Sequence, residues 1–310
     1  MHIAIIGAGM SGLTFAMRLR AGGHDVSVFD KGRGPGGRMS TRRMEIGGVT
    51  YRFDHGAQYF AVRDEGFRAQ VEAWERDGIA ARWPAAGNDA WVGTPGMNAS
   101  IKAMADEVGV RFGTRIEAIS CGDDGWTLRG EAEFGPFDAL VVAVPAEQVA
   151  PLLSSHKPDW SSLADRTDSD PCWTVMAAFA EPLNIASDTL RDAGAIGWAA
   201  RDSAKPGREA GERWVIQATP DWSREHLEEE QNEVLLALLA KFAQQTGCTL
   251  PNPLVQSAHR WRYARSGSAD EGSLWDETAM LGLCGDWLIG PRVEAAWLSG
   301  AQLADRIIKG

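Results

Sequence analysis

The sequence has few cysteines, and their spacing excludes two classes of protein. Cys121, Cys172, Cys248 and Cys284 are scattered along 310 residues, with no Cys-x-x-Cys pair among them. A zinc site needs ligands clustered at short spacing, and a disulfide framework belongs to small secreted chains that are rich in cysteine. We therefore expect reduced thiols in the protein core, no metal site and no disulfide-bonded scaffold.

The chain also lacks excess positive charge and long apolar runs. Its net charge is −11, which repels nucleic acids and anionic membranes at long range. No run approaches the roughly 20 apolar residues of a membrane helix, and the apolar start has no basic segment of a signal peptide before it. We expect a soluble cytoplasmic protein with neither nucleic-acid nor membrane partners. The oligomeric state is left open.

The start of the chain has the pattern of a dinucleotide-binding turn. The run IAII leads into Gly7, Gly9 and Gly12 at GxGxxG spacing, and Asp30 ends the next apolar run, VSVFD. In such turns the first glycine permits a tight turn, the second lets backbone N–H groups approach a pyrophosphate, and the third allows close helix packing. The helix N-terminus attracts phosphate, and the acidic residue accepts hydrogen bonds from ribose hydroxyls. The pattern predicts a nucleotide cofactor.

A basic, glycine-rich loop, KGRGPGGRMSTRR, follows Asp30 directly. Its glycines and its proline exclude a continued helix. Two interpretations are open. The loop is either a solvated basic turn or a cofactor-binding loop, in which Gly37 permits close approach and the Arg38 guanidinium binds phosphate or flavin.

In this order, GxGxxG, the acid and GGR resemble the FAD signature of the flavin-containing amine oxidase superfamily. The C-terminal run LGLCGDWLIGPRVEAAWLSGAQLADRI is a second match, with a strand ending at Gly285-Asp286 and helical spacing from Val293. The resemblance implies that Asp286 binds the ribityl or phosphate region of FAD. It also implies that the helix beginning near Val293 points its positive end at the flavin N1/C2 oxygen. No cysteine or histidine matches a linkage motif, so noncovalent FAD is expected.

The segment FDHGAQYF, residues 53–60, is a candidate flavin contact. Gly56 and Ala57 are small enough for the backbone to touch an isoalloxazine ring, and Gln58 and Tyr59 would then face the ring or the substrate. The alternative is a strand with a tight turn.

The segment AHRWRYAR, residues 258–265, is a candidate wall of the substrate cavity. As a strand it places His259 and Trp261 on one face, and Arg260 and Arg262 on the other. The aromatic face can stack on a flat ring, and the arginines can meet phosphates. The alternative is an edge strand whose arginines extend into solvent.

With these segments the resemblance narrows to the renalase family, on the motifs GAGMSG, Asp30-Lys31, GGRM, GAQY, PGMNASIK and HRW. His55 is a departure, because an apolar residue is more usual before GAQ. Substrate positioning is expected from Gln58, Tyr59, His259 and Trp261. The motifs and the resemblance together imply these FAD contacts: Gly7, Gly9, Met10, Ser11, Gly12, Asp30, Lys31, Gly37, Arg38, Met39, Gly56, Ala57, Ile116, Asp286, Val293 and Glu294.

The resemblance implies an FAD-dependent oxidase. Its substrates would be isomeric dihydro-NAD(P), in the 2- or 6-dihydro form, and O2, and its products NAD(P)+ and H2O2. A flavin amine oxidase or a related desaturase is the first alternative. Amine oxidases often have a lysine near flavin N5, and none of the six lysines is expected in a strand facing the site. The second alternative is a non-catalytic FAD- or NAD(P)-binding sensor.

The predicted fold is α/β, with an FAD-binding Rossmann-like domain and an inserted α+β substrate domain built on an antiparallel sheet. The expected cofactor domain is discontinuous, over residues 1–65, 97–150 and 266–310, and the substrate domain comprises residues 66–96 and 151–265. Expected cofactor-domain elements are a helix at MNASIKAMADEV and strands at VRFGTRIEAIS and DALVVAVP. The substrate domain should contain strands WTVMAAFA, RWVIQAT and LVQSAHRWRYA and a long helix, residues 223–247, with glutamates 228–230 on a solvated face.

Overall fold

The computed structural model describes residues 1–309. In this range the strands are β1 (His2–Ile6), β2 (Asp25–Phe29), β3 (Thr41–Ile46), β4 (Val49–Asp54), β5 (Phe60–Ala61), β6 (Ala80–Arg82), β7 (Ala90–Gly93), β8 (Val110–Arg111), β9 (Ala118–Gly122), β10 (Gly125–Arg129), β11 (Glu133–Phe137), β12 (Ala139–Val142), β13 (Asp170–Phe179), β14 (Thr189–Ala193), β15 (Ile196–Arg201), β16 (Glu212–Ala218), β17 (Val255–Arg265), β18 (Leu274–Asp276) and β19 (Leu281–Leu283). The α-helices are α1 (Met10–Ala21), α2 (Glu65–Arg76), α3 (Ala99–Val108), α4 (Ala150–Leu153), α5 (Pro158–Asp165), α6 (Pro220–Glu225), α7 (Gln231–Thr246) and α8 (Val293–Lys309).

The protein has two halves, which are not the first and second halves of the sequence. The first is built on a six-stranded sheet in the order β18-β19-β12-β1-β2-β8, whose strands lie within residues 2–29, 110–142 and 274–283. All neighbouring pairs are parallel except β18 with β19. The central strands β1 and β12 are apolar on both faces because both are covered: Ile3 and Ile5 face α1, α3 and α8, and Ala4 and Ile6 face β10, α4 and α5. The predicted Rossmann-like fold is confirmed.

The second half, called the substrate half after its predicted role, is built on an antiparallel sheet, the substrate sheet, in the order β14-β15-β16-β13-β17. The predicted antiparallel sheet is confirmed. One face packs on the apolar stripe of α7, through residues such as Val175 and Ile216. The opposite face is more polar and is covered by the hairpin β3–β4, whose Phe53 packs against Met176 and Val215. The hairpin therefore links the two halves.

Residues 66–96, expected in the substrate domain, contact both halves. The apolar face of α2 joins the core around α1, where the ring centroids of Phe67 and Trp297 are 5.5 Å apart. Farther along, Trp83 packs on Trp198 of the substrate sheet. This segment therefore bridges the two halves of the protein.

The single helix expected over residues 223–247 is wrong. The structure has α6 and α7, separated by a turn. In that turn Glu228 lies 3.0 Å from Arg260 Nη1 and 2.7 Å from Arg262 Nη1. Glutamates 228–230 are exposed as expected, but Glu228 pairs with both guanidiniums, so neither arginine is free of a partner.

Two smaller expectations also differ from the structure. The strand expected at VRFGTRIEAIS is two short strands, β8 and β9, because Gly113 adopts φ 68° between them. Cys284 is a core thiol as expected, whereas Cys121 is exposed. None of the helices within residues 1–309 combines the length and apolar composition needed to cross a bilayer.

Candidate active site

The glycine turn between β1 and α1 is shaped by close backbone contacts. A Cβ on Gly7 would lie 2.3 Å from the carbonyl oxygen of Ala143, and one on Gly12 would lie 2.1 Å from the carbonyl oxygen of Gly7. A Cβ on Gly9 would meet no atom within 4 Å. The outer side of the turn is therefore open at the N-terminus of α1, where a pyrophosphate fits.

The Asp30 carboxylate joins this turn to the basic loop. Its oxygens accept hydrogen bonds from the backbone nitrogens of Ala8, at 2.7 Å, and Gly32, at 2.6 Å. A carboxylate has about four acceptor positions, so both oxygens keep capacity for ribose hydroxyls. Gly37, at φ 52°, also borders open space.

Arg38 and Asp286, each predicted to bind FAD, are bonded to one another. Arg38 Nη1 and Nη2 lie 2.7 and 2.6 Å from the two carboxylate oxygens, and the Ser266 hydroxyl donates to the same carboxylate at 3.0 Å. Burial alone would lower the pKa of Arg38, but Asp286 raises it above its ordinary value. A guanidinium has five N–H donors, so three remain for a phosphate.

At some of the other expected cofactor contacts, the polar groups already have hydrogen-bond partners within the protein. Lys31 Nζ donates to Gln148 Oε1 at 2.7 Å, and burial lowers its pKa. Glu294 is buried, and its carboxylate accepts the backbone N–H groups of Arg63 and Asp64 at 2.6 and 2.8 Å. Buried side chains at the expected contacts are Met10, Ser11, Met39 and Ile116. Val293 begins α8 as predicted.

The loop containing Gly56 and Ala57 lies directly on the backbone of Arg38. The Ala57 N–H donates to the Arg38 carbonyl oxygen at 2.8 Å. A Cβ on Gly56 would lie 2.1 Å from that same oxygen. Position 56 therefore requires glycine because of the Arg38 backbone, and the contact of Gly56 with flavin stays a prediction.

Side chains of the substrate sheet hold the same loop from the other side. Trp261 Nε1 donates to the His55 carbonyl oxygen at 2.9 Å, and Gln217 Nε2 donates to the Gly56 carbonyl oxygen at 2.8 Å. Both bonds fix backbone carbonyls, so the position of the loop depends on β16 and β17.

His55, His259 and Trp261 form one aromatic cluster. The centroid of the His55 ring lies 4.9 Å from that of His259 and 5.0 Å from that of Trp261. The centroids of the His259 and Trp261 rings are 4.5 Å apart. Burial, with the charges of His259 and Arg42, lowers the pKa of His55 to about 3. Burial and Arg42 lower the pKa of His259 to about 4. Both imidazoles are therefore neutral at pH 7.

Hydrogen bonds assign the tautomers of the two imidazoles. His55 Nδ1 lies 3.2 Å from the Ser40 carbonyl oxygen, which only accepts, so Nδ1 carries the proton. His259 Nδ1 lies 3.4 Å from Arg42 Nη1, which only donates, so the His259 proton is on Nε2. The cluster thus offers an acceptor on His55 and a donor on His259.

Gln58 and Tyr59 extend away from this cluster. The Tyr59 ring centroid is 5.3 Å from that of Trp198, and its hydroxyl accepts a hydrogen bond from Arg191 Nη1 at 3.2 Å. Gln58 is buried, with its Oε1 3.1 Å from Lys205 Nζ. Their roles in substrate positioning stay predictions, as do those of His259 and Trp261.

Sequence reasoning missed Gln217, Thr174 and Lys205. Trp198, Gln217, Thr174 and His259 lie opposite one another on four neighbouring strands, so their side chains share one face of the sheet. Lys205 follows a 3-10 turn (Asp202–Ala204) and is not in a strand, where active-site lysines were sought. Within residues 1–309, no three His, Cys, Asp or Glu residues are arranged to bind a metal ion.

Two protein-family models match the chain. The model described as an NAD(P)-binding Rossmann-like domain matches residues 5–71, and the one described as flavin containing amine oxidoreductase matches residues 84–308. The chain belongs to the flavin-containing amine oxidoreductase family. The family implies a flavin, and the open space beside Gly9 and Gly37, with spare donors on Arg38 and spare acceptors on Asp30, fits such a group.

Two solved structures share the fold of this protein along the whole chain. Cyclohexylamine oxidase from Brevibacterium oxydans IH-35A has a TM-score of 0.71 at 14% identity, over 99% of this chain and 98% of that one. Putrescine oxidase, solved with putrescine bound, has a TM-score of 0.66 at 14% identity, over 100% of both chains.

Curated relatives match only a short segment. A 4,4'-diapophytoene desaturase from Staphylococcus haemolyticus (strain JCSC1435) is 42% identical over 64 residues, and a zeta-carotene-forming phytoene desaturase from Myxococcus xanthus is 47% identical over 50 residues. These matches cover 21% and 16% of this chain, and 12% and 9% of the relatives. The chain thus aligns with about a tenth of each desaturase.

Proposed function

We propose that this flavoenzyme is a renalase-type oxidase that converts the 2- or 6-dihydro isomers of NAD(P)H into NAD(P)+. When bound, FAD accepts two electrons as hydride and delivers them to O2, so that dihydro-NAD(P), O2 and one proton give NAD(P)+ and H2O2. The dihydropyridine ring becomes aromatic when it loses hydride. The protein therefore needs to bind and orient the ring, and it needs no base.

The neutral aromatic cluster is the observation that carries this proposal. A general base works best when its pKa lies near the working pH. His55 and His259 have pKa values of about 3 and 4, so they are poor bases and remain uncharged. They lie beside the loop of Gly56 and Ala57, which we call the flavin-facing loop after its proposed contact. Uncharged rings favour a substrate that yields hydride over one that must first lose a proton to the protein.

Within this proposal, His259 and Trp261 orient the substrate. His259 Nε2–H donates to the carboxamide or to a ribose hydroxyl of the substrate, because its Nδ1 already accepts from Arg42. Trp261 offers its ring face for stacking, since its N–H is bonded to the His55 carbonyl oxygen. Cofactor binding is assigned to the glycine turn, Asp30 and Arg38.

Noncovalent FAD is part of the proposal. Cys172 lies opposite Trp261 in the sheet, so its thiol is close to the aromatic cluster. Burial raises the pKa of Cys172 to about 11, which keeps the thiol protonated and unreactive at pH 7. Acid precipitation should release all of the yellow colour into the supernatant. Flavin retained in the washed pellet would refute noncovalent binding.

The decisive experiment is anaerobic flavin reduction in a stopped-flow instrument. The panel comprises 2- and 6-dihydro-NAD(P), ordinary NADH and primary amines. We expect rapid bleaching by a dihydro isomer, little by NADH or amines, and one H2O2 per NAD(P)+ when air is admitted. Bleaching by amines alone would support the amine oxidase alternative, and a flavin bleached by no compound would support a sensor.

A further inference from the structure

Lys205 is buried within a cluster of charges at the junction of the two halves. Its Nζ lies 2.7 Å from Asp202 Oδ1 and 3.3 Å from Asp54 Oδ2, and the three side chains are at most 3% exposed. Arg208 Nη2 binds the same Asp54 oxygen at 2.5 Å. Asp54 belongs to β4 and the other three to the substrate half, so the cluster crosses the junction.

The charges of this cluster balance, two cations against two carboxylates. Burial alone would raise the pKa of Asp54, but Lys205 and Arg208 hold it below its ordinary value. Burial raises the pKa of Asp202 above its ordinary value, and the charge of Lys205 opposes that rise more than the charge of Asp54 adds to it. Removing one partner from such a group leaves an uncompensated buried charge, which is strongly destabilising. Charge balance does not explain why the uncharged side chain of Gln58 also belongs to this cluster.

Lys205 anchors the carbonyl end of the Gln58 amide. An ammonium group only donates hydrogen bonds, so the Gln58 atom 3.1 Å from Lys205 Nζ must be the carbonyl oxygen. The Gln58 NH2 group is thereby directed at the backbone carbonyl oxygens of Gly56, at 3.0 Å, and Asp54. The backbone carbonyls require the NH2 group on their side, and Lys205 supplies the hydrogen-bond donor that holds the carbonyl end of the buried amide.

We propose that Lys205 is a positioning residue for the flavin-facing loop, acting through Gln58 on the carbonyl of Gly56. The proposal rests on the proposed contact of Gly56 and Ala57 with flavin. It gives Gln58 a role in holding the loop instead of contacting substrate. Lys205 touches neither reacting group and sets where the loop meets the cofactor.

The test separates charge balance from positioning. Lys205→Met should lower the melting temperature, and the double variant Lys205→Met/Asp202→Asn should recover most of that loss because the buried charges balance again. The double variant should still bind FAD about 3- to 10-fold more weakly, the loss expected for one hydrogen bond, and its visible flavin spectrum should be shifted. Gln58→Leu should reproduce both changes, and adding it to the double variant should change little more.

Lys157→Met/Asp276→Asn is the matched control, because it removes an ion pair of 2.6 Å that lies away from the loop. It should leave the FAD dissociation constant and the flavin spectrum unchanged. Parental FAD binding and spectrum in a stable Lys205→Met/Asp202→Asn protein, or in Gln58→Leu, would overturn the proposal. Both readouts work without a substrate. A flavin that no dihydronicotinamide reduces would therefore count against the proposed function and not against the role of Lys205.

Discussion

Replacing Trp261 by Phe tests whether its indole N–H positions the flavin-facing loop. The change removes the hydrogen bond of 2.9 Å to the His55 carbonyl oxygen and keeps an aromatic ring against the His55 imidazole. Losing a neutral hydrogen bond costs about 0.5–1.5 kcal/mol, and leaving a buried carbonyl unpaired costs about 1–3 kcal/mol. We expect a loss of roughly 1–2 kcal/mol in the free energy of unfolding.

The same bond should matter for catalysis. If about 1 kcal/mol of loop positioning is lost from the transition state, the anaerobic flavin-reduction rate falls roughly 3- to 10-fold, since 1.4 kcal/mol is tenfold. FAD content at saturating FAD should stay at the parental level, because the proposed phosphate and ribose contacts lie elsewhere. Trp261→Ala should lose more, since it also removes the ring contacts with His55 and His259.

Trp173→Phe is the matched control. Trp173 Nε1 donates to the backbone carbonyl oxygen of His226 at 2.9 Å, the same kind of bond at the same distance, on the α7 side of the sheet. It should cost similar stability and change the reduction rate less than twofold. Equal stability losses with a parental reduction rate in Trp261→Phe would refute the positioning role.

Three further predictions concern cofactor binding and pH. Asp30→Asn should raise the FAD dissociation constant about 10- to 100-fold, as measured by titration of the apoprotein, and an unchanged constant would contradict the ribose contact. Arg38→Ala should also weaken FAD binding, with only partial rescue by Arg38→Lys, because lysine cannot bridge Asp286 and a phosphate with planar donors; full rescue would indicate a generic charge effect. Burial lowers the pKa of His55 to about 3, so unfolding should become easier as pH falls below about 6.5, where the unfolded chain gains the proton first. In chemical denaturation, His55 should contribute a loss of about 2 kcal/mol between pH 8 and pH 5, and His259, whose pKa is also lowered, should add a loss of the same sign. His55→Gln should therefore make the profile clearly shallower without flattening it; an equally steep profile in the variant would place the effect elsewhere.

The parts of the site that depend on local sterics could be predicted from the sequence. Gly7 adopts a positive φ of 109°, Gly12 packs on the carbonyl of Gly7 within the same turn, and the helical spacing from Val293 marks α8. These features leave a pattern within one short segment. The same holds for the alternation along β17, which placed His259 and Trp261 on one face.

The parts that depend on strand register could not be predicted. Gln217 reaches the Gly56 carbonyl, 161 residues away, only because β16 pairs with β13 in one particular register. The Arg38–Asp286 pair spans 248 residues. No motif in the sequence around Lys205 indicates its role, since the Asp54 carboxylate that it contacts comes from the other half of the protein. Such contacts are fixed by tertiary packing, which a single sequence does not display.

The contact between α1 and α8 has a consequence for the order in which the protein matures. A Cβ on Gly300 would lie 2.2 Å from the carbonyl oxygen of Ser11, so the two helices interlock at the glycine turn. During synthesis the sheet formed by residues 170–265 can assemble first. The glycine turn can be packed against α8 only after α8 has emerged from the ribosome. Cofactor capture should therefore follow the docking of α8 on α1, and a nascent chain halted before α8 should fold its inserted sheet yet remain colourless.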